Sequence, residues 1–276
     1  MSREDVAVLR CPHCGQALAR DERVWRCLSG HSFDVARQGY VNLLAGAKTP
    51  GGDTVPMVEA RERVLSAGHL DVVTASLTAA CDDLPAGILV DVGAGTAHHL
   101  VRLRRALGER RAVAIDVSVP AARRAARADP EATTVVVADV WRPWPLMDSV
   151  AAAVLVVFAP RNAAEAARVL VPRGRLVVVT PADEHLAELR ERLGLLAIEP
   201  GKDERLRAEL APHLDHLDTR EIRTQVHVDR ADAAALATMG PTGHHLDAAQ
   251  LQERAAALAA TTTVTVAVRV HRFVRR

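Results

Sequence analysis

The sequence is short of aromatic residues, lysine and cysteine, and it has no long apolar run. Of its 276 residues, 3% are aromatic, four are cysteine, and only Lys48 and Lys202 are lysine among 35 basic residues. No apolar run approaches the roughly 20 residues of a membrane-spanning helix, so we expect no membrane partner. Apolar residues make up 49% of the chain and charged residues 25%, which excludes an intrinsically disordered protein.

Net charge and the N-terminal sequence carry less information. The formal net charge of +1 does not indicate a nucleic-acid-binding protein, although it leaves room for a local basic face. The segment MSREDVAVLRCPHCG has neither the basic nor the apolar part of a secretory signal, so we expect a cytoplasmic protein. Thiols stay reduced in the cytosol, which favours metal binding over disulfides.

Composition and periodicity divide the chain into three parts. Residues 1–45 contain three of the four cysteines and predict a small, metal-stapled module. Residues 46–56 are rich in Gly, Pro and Thr and predict a linker. In residues 57–276, two helical segments precede Val/Ile/Ala runs that alternate with helical patterns, which predicts a doubly wound, mainly parallel sheet. The last two runs alternate with period two and predict an antiparallel pair.

The N-terminal module contains a metal-ligand pattern. Cys11, Cys14, Cys27 and His31 follow the spacing C-x2-C-x12-C-x3-H. Each closely spaced pair can bind one ion from a tight turn, which is the arrangement of a tetrahedral zinc site. Four protein ligands leave no open position, so the zinc would be structural and would supply folding free energy. The alternative is three buried thiols beside an unrelated histidine.

A glycine-containing turn follows the first strand of the sheet. The sequence LVDVGAGTAHHL places Gly93 and Gly95 between that strand and a helix, where glycine lets the backbone approach a ligand closely. Asp116 ends the next strand, where a carboxylate can accept hydrogen bonds from both ribose hydroxyls of a nucleotide. Asp139 ends the third strand beside the expected adenine, with Trp141 as part of an apolar wall.

Two nucleotide cofactors can use such a turn. A dinucleotide fold prefers a third glycine where this chain has His98. Asp91, just before the turn, would repel a pyrophosphate, whereas it can hold the ammonium group of S-adenosylmethionine. We therefore favour S-adenosylmethionine over NAD.

Residues after the fourth and fifth strands could face a methyl acceptor. Phe158 lies in a turn where a planar substrate could stack, but the segment is equally consistent with a plain turn in which Asn162 caps the next helix. His185 follows the fifth strand and, judged from its neighbours alone, is a surface histidine of a helix.

Taken together, these features resemble the large-subunit ribosomal RNA guanine-N1 methyltransferases, which include the tylosin-resistance methyltransferases of macrolide-producing bacteria. The matching segments cover nearly the whole chain and are CPHCG, CLSGH, HSFDVARQGYVNLL, GDTVPMVEAR, LSAGHL, DVGAGT, VFAPRN, VTPADEHLAEL and ATMGP. The resemblance implies a class I S-adenosylmethionine-dependent methyltransferase fold, Rossmann-like, with a mainly parallel seven-stranded sheet and a small zinc-binding module in front of it.

The resemblance also implies a site and a reaction. It implies zinc ligation by the four N-terminal residues named above and cofactor contacts from Gly95, Thr96 and His185. The substrate would be a guanine in a hairpin loop of 23S ribosomal RNA, at position 748 or else 745, and methylation of its N1 could confer tylosin-type resistance. A homodimer is implied as well.

Two positions depart from the family pattern. Leu70 stands where the family often has a tyrosine on the cofactor side, and His244 and His245 stand where a tryptophan often follows ATMGP. These departures bear on cofactor affinity and on the choice of nucleotide.

The base and the RNA contacts are less well defined. The guanine N1 must lose its proton, and Asp34 and Asp53 are weak candidates for the base, each more simply explained as a turn-capping residue. A guanine splayed out of a loop exposes its N1, whereas a paired guanine hides it. We expect loss of zinc to weaken RNA binding and to leave the methyltransferase core largely folded. The module residues expected to grip RNA are Arg20, Arg23, Arg26, Arg37 and Trp25.

Two other functions are open at this point. One is a small-molecule methyltransferase that keeps the zinc module as a lid, and the other is a non-catalytic RNA-binding or ribosome-assembly protein. Methyl transfer into RNA would exclude the first, and binding of S-adenosylmethionine would argue against the second.

Overall fold

The computed structural model describes residues 8–44, 46, 51–108, 110–198, 201–244 and 247–276. His245 and residues 47–50 of the predicted linker lie outside these ranges. The strands are β1 (Ala19–Asp21), β2 (Val24–Arg26), β3 (Ser32–Asp34), β4 (Tyr40–Asn42), β5 (Ile88–Val92), β6 (Ala112–Asp116), β7 (Thr133–Val137), β8 (Ala151–Val157), β9 (Leu170–Pro181), β10 (Leu214–Asp229) and β11 (Thr261–Arg275). The helices are α1 (Val55–Ser66), α2 (Asp71–Ala80), α3 (His98–Ala106), α4 (Val119–Ala128), α5 (Ala163–Val169), α6 (Ala187–Leu193), α7 (Lys202–Leu210), α8 (Arg230–Thr238) and α9 (Ala248–Ala256).

The main sheet has the order β10-β11-β9-β8-β5-β6-β7-β4. Strands β4 to β9 of this sheet pair in parallel, and β11 pairs antiparallel with both β9 and β10. The mainly parallel sheet with a closing antiparallel pair is thereby confirmed. The parallel strands β5 and β8 are apolar and almost entirely buried, as expected when helices cover both faces of a sheet.

The sheet is larger than expected by one strand. Seven strands come from the predicted methyltransferase region, and an eighth, β4, is contributed by the segment assigned to the N-terminal module. Val41 of β4 is 1% exposed and lies beside β7. At the other end of the predicted linker, α1 begins at Val55, after Thr54. The chain therefore joins the sheet before it enters the helical region.

The two faces of the sheet bury different partners. One face packs against apolar residues of α1–α4, α6, α8 and α9. The other face shares a single apolar cluster with α5, α7 and the N-terminal module, whose contributions include Leu9, Leu18 and Val35. The backbone N–H of Arg10 donates to the carbonyl of Pro145 (3.1 Å), and that of Met147 donates to the carbonyl of Val8 (2.9 Å). The module therefore forms part of the core that covers the sheet.

Local signals in the sequence set several helix starts. Ser118 caps α4 by accepting a hydrogen bond from the N–H of Ala121, and Asn162 caps α5 through the N–H of Glu165. Asn162 thus has the capping role considered for it. Among the described residues, none of the helices is both long enough and apolar enough to span a membrane.

Candidate active site and metal centre

The four predicted zinc ligands lie together at one end of the N-terminal module. The ligand atoms of Cys11, Cys14, Cys27 and His31 are all within 4.8 Å of one another. The Sγ atoms of Cys14 and Cys27 are 3.6 Å apart, and Nδ1 of His31 lies 3.4 Å from the Sγ of Cys27 and 3.6 Å from that of Cys11. The first turn is closed by the N–H of Gly15, which donates to the carbonyl of Cys11.

These distances fit a tetrahedral zinc ion. A Zn–S bond of about 2.3 Å in a tetrahedron places two sulfur atoms about 3.8 Å apart, close to the separation of Cys14 and Cys27. A hydrogen bond from the backbone N–H of Gln16 lowers the pKa of Cys14 to about 6, which favours the thiolate that binds metal. The donor set therefore fits a structural zinc ion, with Nδ1 as the histidine ligand.

Trp25 does not lie on the RNA-binding surface that the sequence analysis predicts for it. Trp25 is 7% exposed and lies in the apolar cluster that covers the sheet, so it is not available to stack on RNA. Both charged and aliphatic residues are exposed at this end: Arg20, Arg23, Arg26 and Arg37 are exposed together with Asp21, Glu22 and Asp34, and Leu28 is 98% exposed. The prediction for Trp25 was wrong because its large ring is buried in the apolar cluster that the module shares with the sheet.

The predicted cofactor turn forms the floor of a crevice at the carboxyl end of β5. Gly93 and Gly95 both have positive φ, 72° and 55°, which favours glycine. A Cβ on Gly93 would lie 2.4 Å from the Cβ of Ala159, so the turn after β8 could not approach if this position carried a side chain. The local conformation thus explains both glycines.

Asp91 brings a buried carboxylate to this crevice. It is 2% exposed, and its Oδ1 has no hydrogen-bond partner among the described residues. Burial, with a smaller contribution from the negative charge of Asp116, raises the pKa of Asp91 to about 7. A buried, unpaired carboxylate oxygen is costly unless a ligand supplies a donor.

Asp116 lies next to the turn, as its position at the end of β6 predicts. Its Oδ2 accepts from the N–H of Gly95 and its Oδ1 from the N–H of Ser118, each at 2.7 Å. Each carboxylate oxygen has a second lone pair, so both can still accept from a ligand hydroxyl. Burial raises the pKa of Asp116.

Asp53, one of the two candidates for the base, also reaches this region. Its Oδ2 accepts from Nη2 of Arg61 at 2.5 Å, and its backbone carbonyl accepts from the hydroxyl of Ser118 at 2.7 Å. The carboxylate is already engaged by the guanidinium of Arg61, so this contact favours a positioning role. Asp34 is exposed on β3 of the module and does not line the crevice.

Phe158 lines the crevice, and His185 lies beside it. Phe158 has a φ of +52°, an uncommon backbone conformation for a non-glycine residue, and it is 36% exposed. Its ring centroid lies 5.6 Å from that of His185. Burial lowers the pKa of His185 to about 4, and its Nδ1 has no partner among the described residues. His185 is therefore neutral at pH 7 and lies partly buried beside the strained turn.

The remaining predicted contacts differ in where they lie relative to the crevice. Leu70 is 2% exposed and lines it. Thr96 is 7% exposed in the glycine turn. Oδ1 of Asp139 accepts from the N–H of Trp141, which is itself 63% exposed. His244 lies in a short 3-10 helix (Pro241–His244) after α8.

Sequence patterns did not assign several residues that line the crevice. Arg61 and Leu65 come from α1, Met239 follows α8, and His98 and His99 begin α3. Burial lowers the pKa of His99 to about 3, so this histidine is neutral. Arg61 and Met239 lie in the segments GDTVPMVEAR and ATMGP, but nothing in the spacing of these segments indicates that they meet the glycine turn.

The chemistry of the crevice fits S-adenosylmethionine better than a dinucleotide. The crevice offers an oxygen of Asp91 that has no partner among the described residues, and the carboxylate of Asp116 lies beside Gly95 of the same turn. Asp91 would oppose a pyrophosphate, whereas a cationic amino-acid group can pair with it and a ribose can pair with Asp116.

Family models match both regions of the chain. A zinc-ribbon model described as RlmA, N-terminal, matches residues 9–48, and a model described as methyltransferase domain matches residues 90–178. The first match contains the zinc cluster and β4, and the second contains the glycine turn.

Relatives match over nearly the whole chain. A 23S rRNA (guanine(748)-N1)-methyltransferase of Streptomyces fradiae is 44% identical, covering 97% of each chain. A protein of Micromonospora griseorubida, described as a candidate 23S rRNA (guanine-N1)-methyltransferase, is 45% identical, covering 96% of each chain. Among solved structures, the YcgJ protein of Bacillus subtilis matches with a TM-score of 0.53 at 14% identity, covering 74% of this chain and 97% of that one. The last match supports the fold alone, whereas the two sequence matches place the chain in the family of 23S rRNA (guanine-N1)-methyltransferases.

Proposed function

We propose that this protein transfers a methyl group from S-adenosylmethionine to N1 of a guanine in 23S ribosomal RNA. The observation that carries the proposal is the end-to-end match with the Streptomyces fradiae methyltransferase, because it includes both the zinc cluster and the crevice. By the same likeness, we propose guanine 748 as the target and tylosin-type resistance as the outcome.

The crevice residues would hold the cofactor as follows. Asp91 would accept from the ammonium group of the methionyl part, and the backbone around Gly93, Gly95 and Thr96 would contact that part. Asp116 accepts from the ribose hydroxyls with its remaining lone pairs. Further contacts are assigned to Leu70 beside the methionyl part, Asp139 beside the adenine, and His185 on the acceptor side.

The cofactor supplies an already activated methyl group, so the chain acts mainly by positioning. Phe158, at the strained turn after β8, offers an aromatic face on which a guanine can stack. The ring of His185 lies beside that of Phe158 at this turn. Because His185 is neutral at pH 7, it does not repel the sulfonium.

A hairpin-loop guanine is the substrate form that this geometry favours. The N1 atom is on the base-pairing edge, so a guanine must be unpaired and splayed out to present it. The exposed basic residues of the zinc module, Arg20, Arg23, Arg26 and Arg37, would contact the phosphates around the loop. We propose that this RNA-recognition module ends at residue 45 and that residues 46–56 form the linker. We also propose that the protein acts as a homodimer, which light scattering can test.

Methyl transfer from tritiated S-adenosylmethionine into unmodified 23S ribosomal RNA tests the proposed function. The purified, zinc-loaded protein should label the RNA, and Asp116→Ala should reduce the labelling because it removes the ribose contact. Labelling of a metabolite fraction instead of the RNA would favour a small-molecule methyltransferase. Absence of S-adenosylmethionine binding would favour a non-catalytic RNA-binding protein.

A further inference from the structure

Arg61 lies in the crevice with part of its guanidinium group unpaired. Its Nη2 donates to Oδ2 of Asp53 at 2.5 Å and to the carbonyl of Met239 at 2.9 Å. Its Nε is buried and has no acceptor among the described residues. A buried N–H of a charged group without an acceptor costs free energy, so this geometry indicates an acceptor that a ligand supplies.

The glycine turn brings Arg61 close to the ligand space. A Cβ added to Gly95 would lie 3.2 Å from Cδ of Arg61 and 3.5 Å from its Nε. A side chain at position 95 would therefore push the guanidinium away. The absence of a side chain at Gly95 leaves Arg61 lying over the turn.

The crevice contains a second unpaired group of opposite charge. Oδ1 of Asp91 has no partner among the described residues, and Asp91 and Arg61 both line the crevice together with Gly93. One is a carboxylate oxygen without a donor among the described residues, and the other is a guanidinium N–H without an acceptor among them. This pair is complementary to a ligand group that carries an ammonium and a carboxylate on one carbon, namely an α-amino acid.

We infer that Arg61 binds the carboxylate of the methionyl part of S-adenosylmethionine, opposite the ammonium group held by Asp91. The inference rests on the proposed function and adds a specificity-determining residue to it. Nε–H donates to the carboxylate, and Asp53 and the carbonyl of Met239 hold the guanidinium in place through Nη2. Asp53 is accordingly a positioning residue.

Isothermal calorimetry with two nucleosides tests this assignment without relying on catalysis. The ligands are S-adenosylhomocysteine and its decarboxylated analogue, 5′-(3-aminopropylthio)-5′-deoxyadenosine, which keeps the amine and lacks only the carboxylate. Wild-type protein should bind S-adenosylhomocysteine about 10- to 100-fold more tightly, the range expected for a hydrogen bond to a charged group. In Arg61→Met this preference should disappear, with the decarboxylated analogue bound as in the wild type.

Arg124→Met is the matched control. Arg124 also pairs with a carboxylate of α1, at 2.8 Å from Oε2 of Glu62, but it does not line the crevice. This variant should keep the full preference for S-adenosylhomocysteine.

Three outcomes would overturn the inference. They are a wild-type protein that binds the two ligands equally, an Arg61→Met variant that keeps the preference, and an Arg61→Met variant that loses affinity for both ligands to the same degree. If Arg61→Met does not fold, the test uses the ratio of the two affinities in the wild type and in Arg61→Lys. Lysine keeps the charge and should keep part of the preference. A wild-type protein that binds neither nucleoside would contradict the proposed function as well, which separates the two failures.

Discussion

The zinc cluster takes its four ligands from residues 11–31, whereas the crevice takes its polar groups from positions as far apart as Asp53 and Met239. In the cluster, two tight turns fix the ligands, and the spacing of the residues is enough to predict the site. In the crevice, helices and strands that are distant in sequence bring the groups together. A site made of local turns is therefore visible in a sequence, whereas a site made by tertiary packing is visible only in part.

The zinc cluster and the crevice also differ in what their polar atoms need as partners. The cluster needs a metal ion to hold four adjacent ligand atoms, and that ion contributes to folding. The crevice is held by the surrounding core and keeps the unpaired atoms Nε of Arg61, Oδ1 of Asp91 and Nδ1 of His185. The zinc cluster therefore stabilises the fold, whereas the unpaired groups of the crevice destabilise it until a ligand binds.

Loss of zinc should have the largest effect on stability. It should show that the N-terminal module and the sheet unfold together. Cys27→Ala should lose the metal and lower the midpoint of one cooperative transition of the whole chain, because the module shares an apolar cluster with the sheet. Structural zinc contributes of the order of 10 kcal/mol in small modules. Metal analysis and calorimetry measure both effects.

Cys81→Ala is the matched control, since Cys81 is a buried cysteine far from the cluster. It should keep one zinc ion per chain. Two separate transitions in Cys27→Ala, with the sheet transition unchanged, would restore the earlier expectation that the methyltransferase core stays largely folded without zinc.

Asp91→Asn should make the protein more stable and weaken its binding of cofactor. The raised pKa of Asp91, about 7, means that the folded protein without ligand binds a proton more tightly than the unfolded chain does. Its stability therefore falls as pH rises from about 4 to about 7, and asparagine should raise the free energy of unfolding at pH 8 by about 2 kcal/mol. The same variant should bind S-adenosylhomocysteine at least about tenfold more weakly. A less stable variant with unchanged affinity would exclude Asp91 from the site.

The pH dependence of binding should follow the same carboxylate. Ionised Asp91 attracts the ammonium group, so the affinity of wild-type protein for S-adenosylhomocysteine should rise about tenfold between pH 6 and pH 8, as expected for a pKa near 7. Calorimetry at several pH values measures this rise. Asp91→Asn should bind with little pH dependence, and an equally steep rise in that variant would assign the titration to another group.

The smallest effect is expected at Asn162, which lies near the crevice but serves the helix. Its side chain caps α5 through the N–H of Glu165 at 3.2 Å. Asn162→Ala should cost about 1 kcal/mol of stability in urea unfolding and leave cofactor affinity unchanged. Asn162→Ser should retain most of the stability, and a loss of affinity in either variant would give this residue a direct role.

Much of the fold was predictable because most of its strands and helices have a recognisable apolar pattern. The glycine turn with Asp116 was predictable for the same local reason, since both follow strands that are neighbours in a parallel sheet. Strand β4 was not, because three residues at a sheet edge leave no periodic signal. Neither was Arg61, because its contact with Asp53 and Met239 depends on the packing of α1 against α8.

Mass mapping of 23S ribosomal RNA treated with the purified protein and S-adenosylmethionine tests the central claim most directly. The account predicts one new methyl group, on N1 of a guanine in a hairpin loop, and about tenfold less of it when the protein carries Asp91→Asn at limiting cofactor. A methyl group on another atom or in a paired helix, or RNA that stays unmodified while the cofactor is bound, would contradict it.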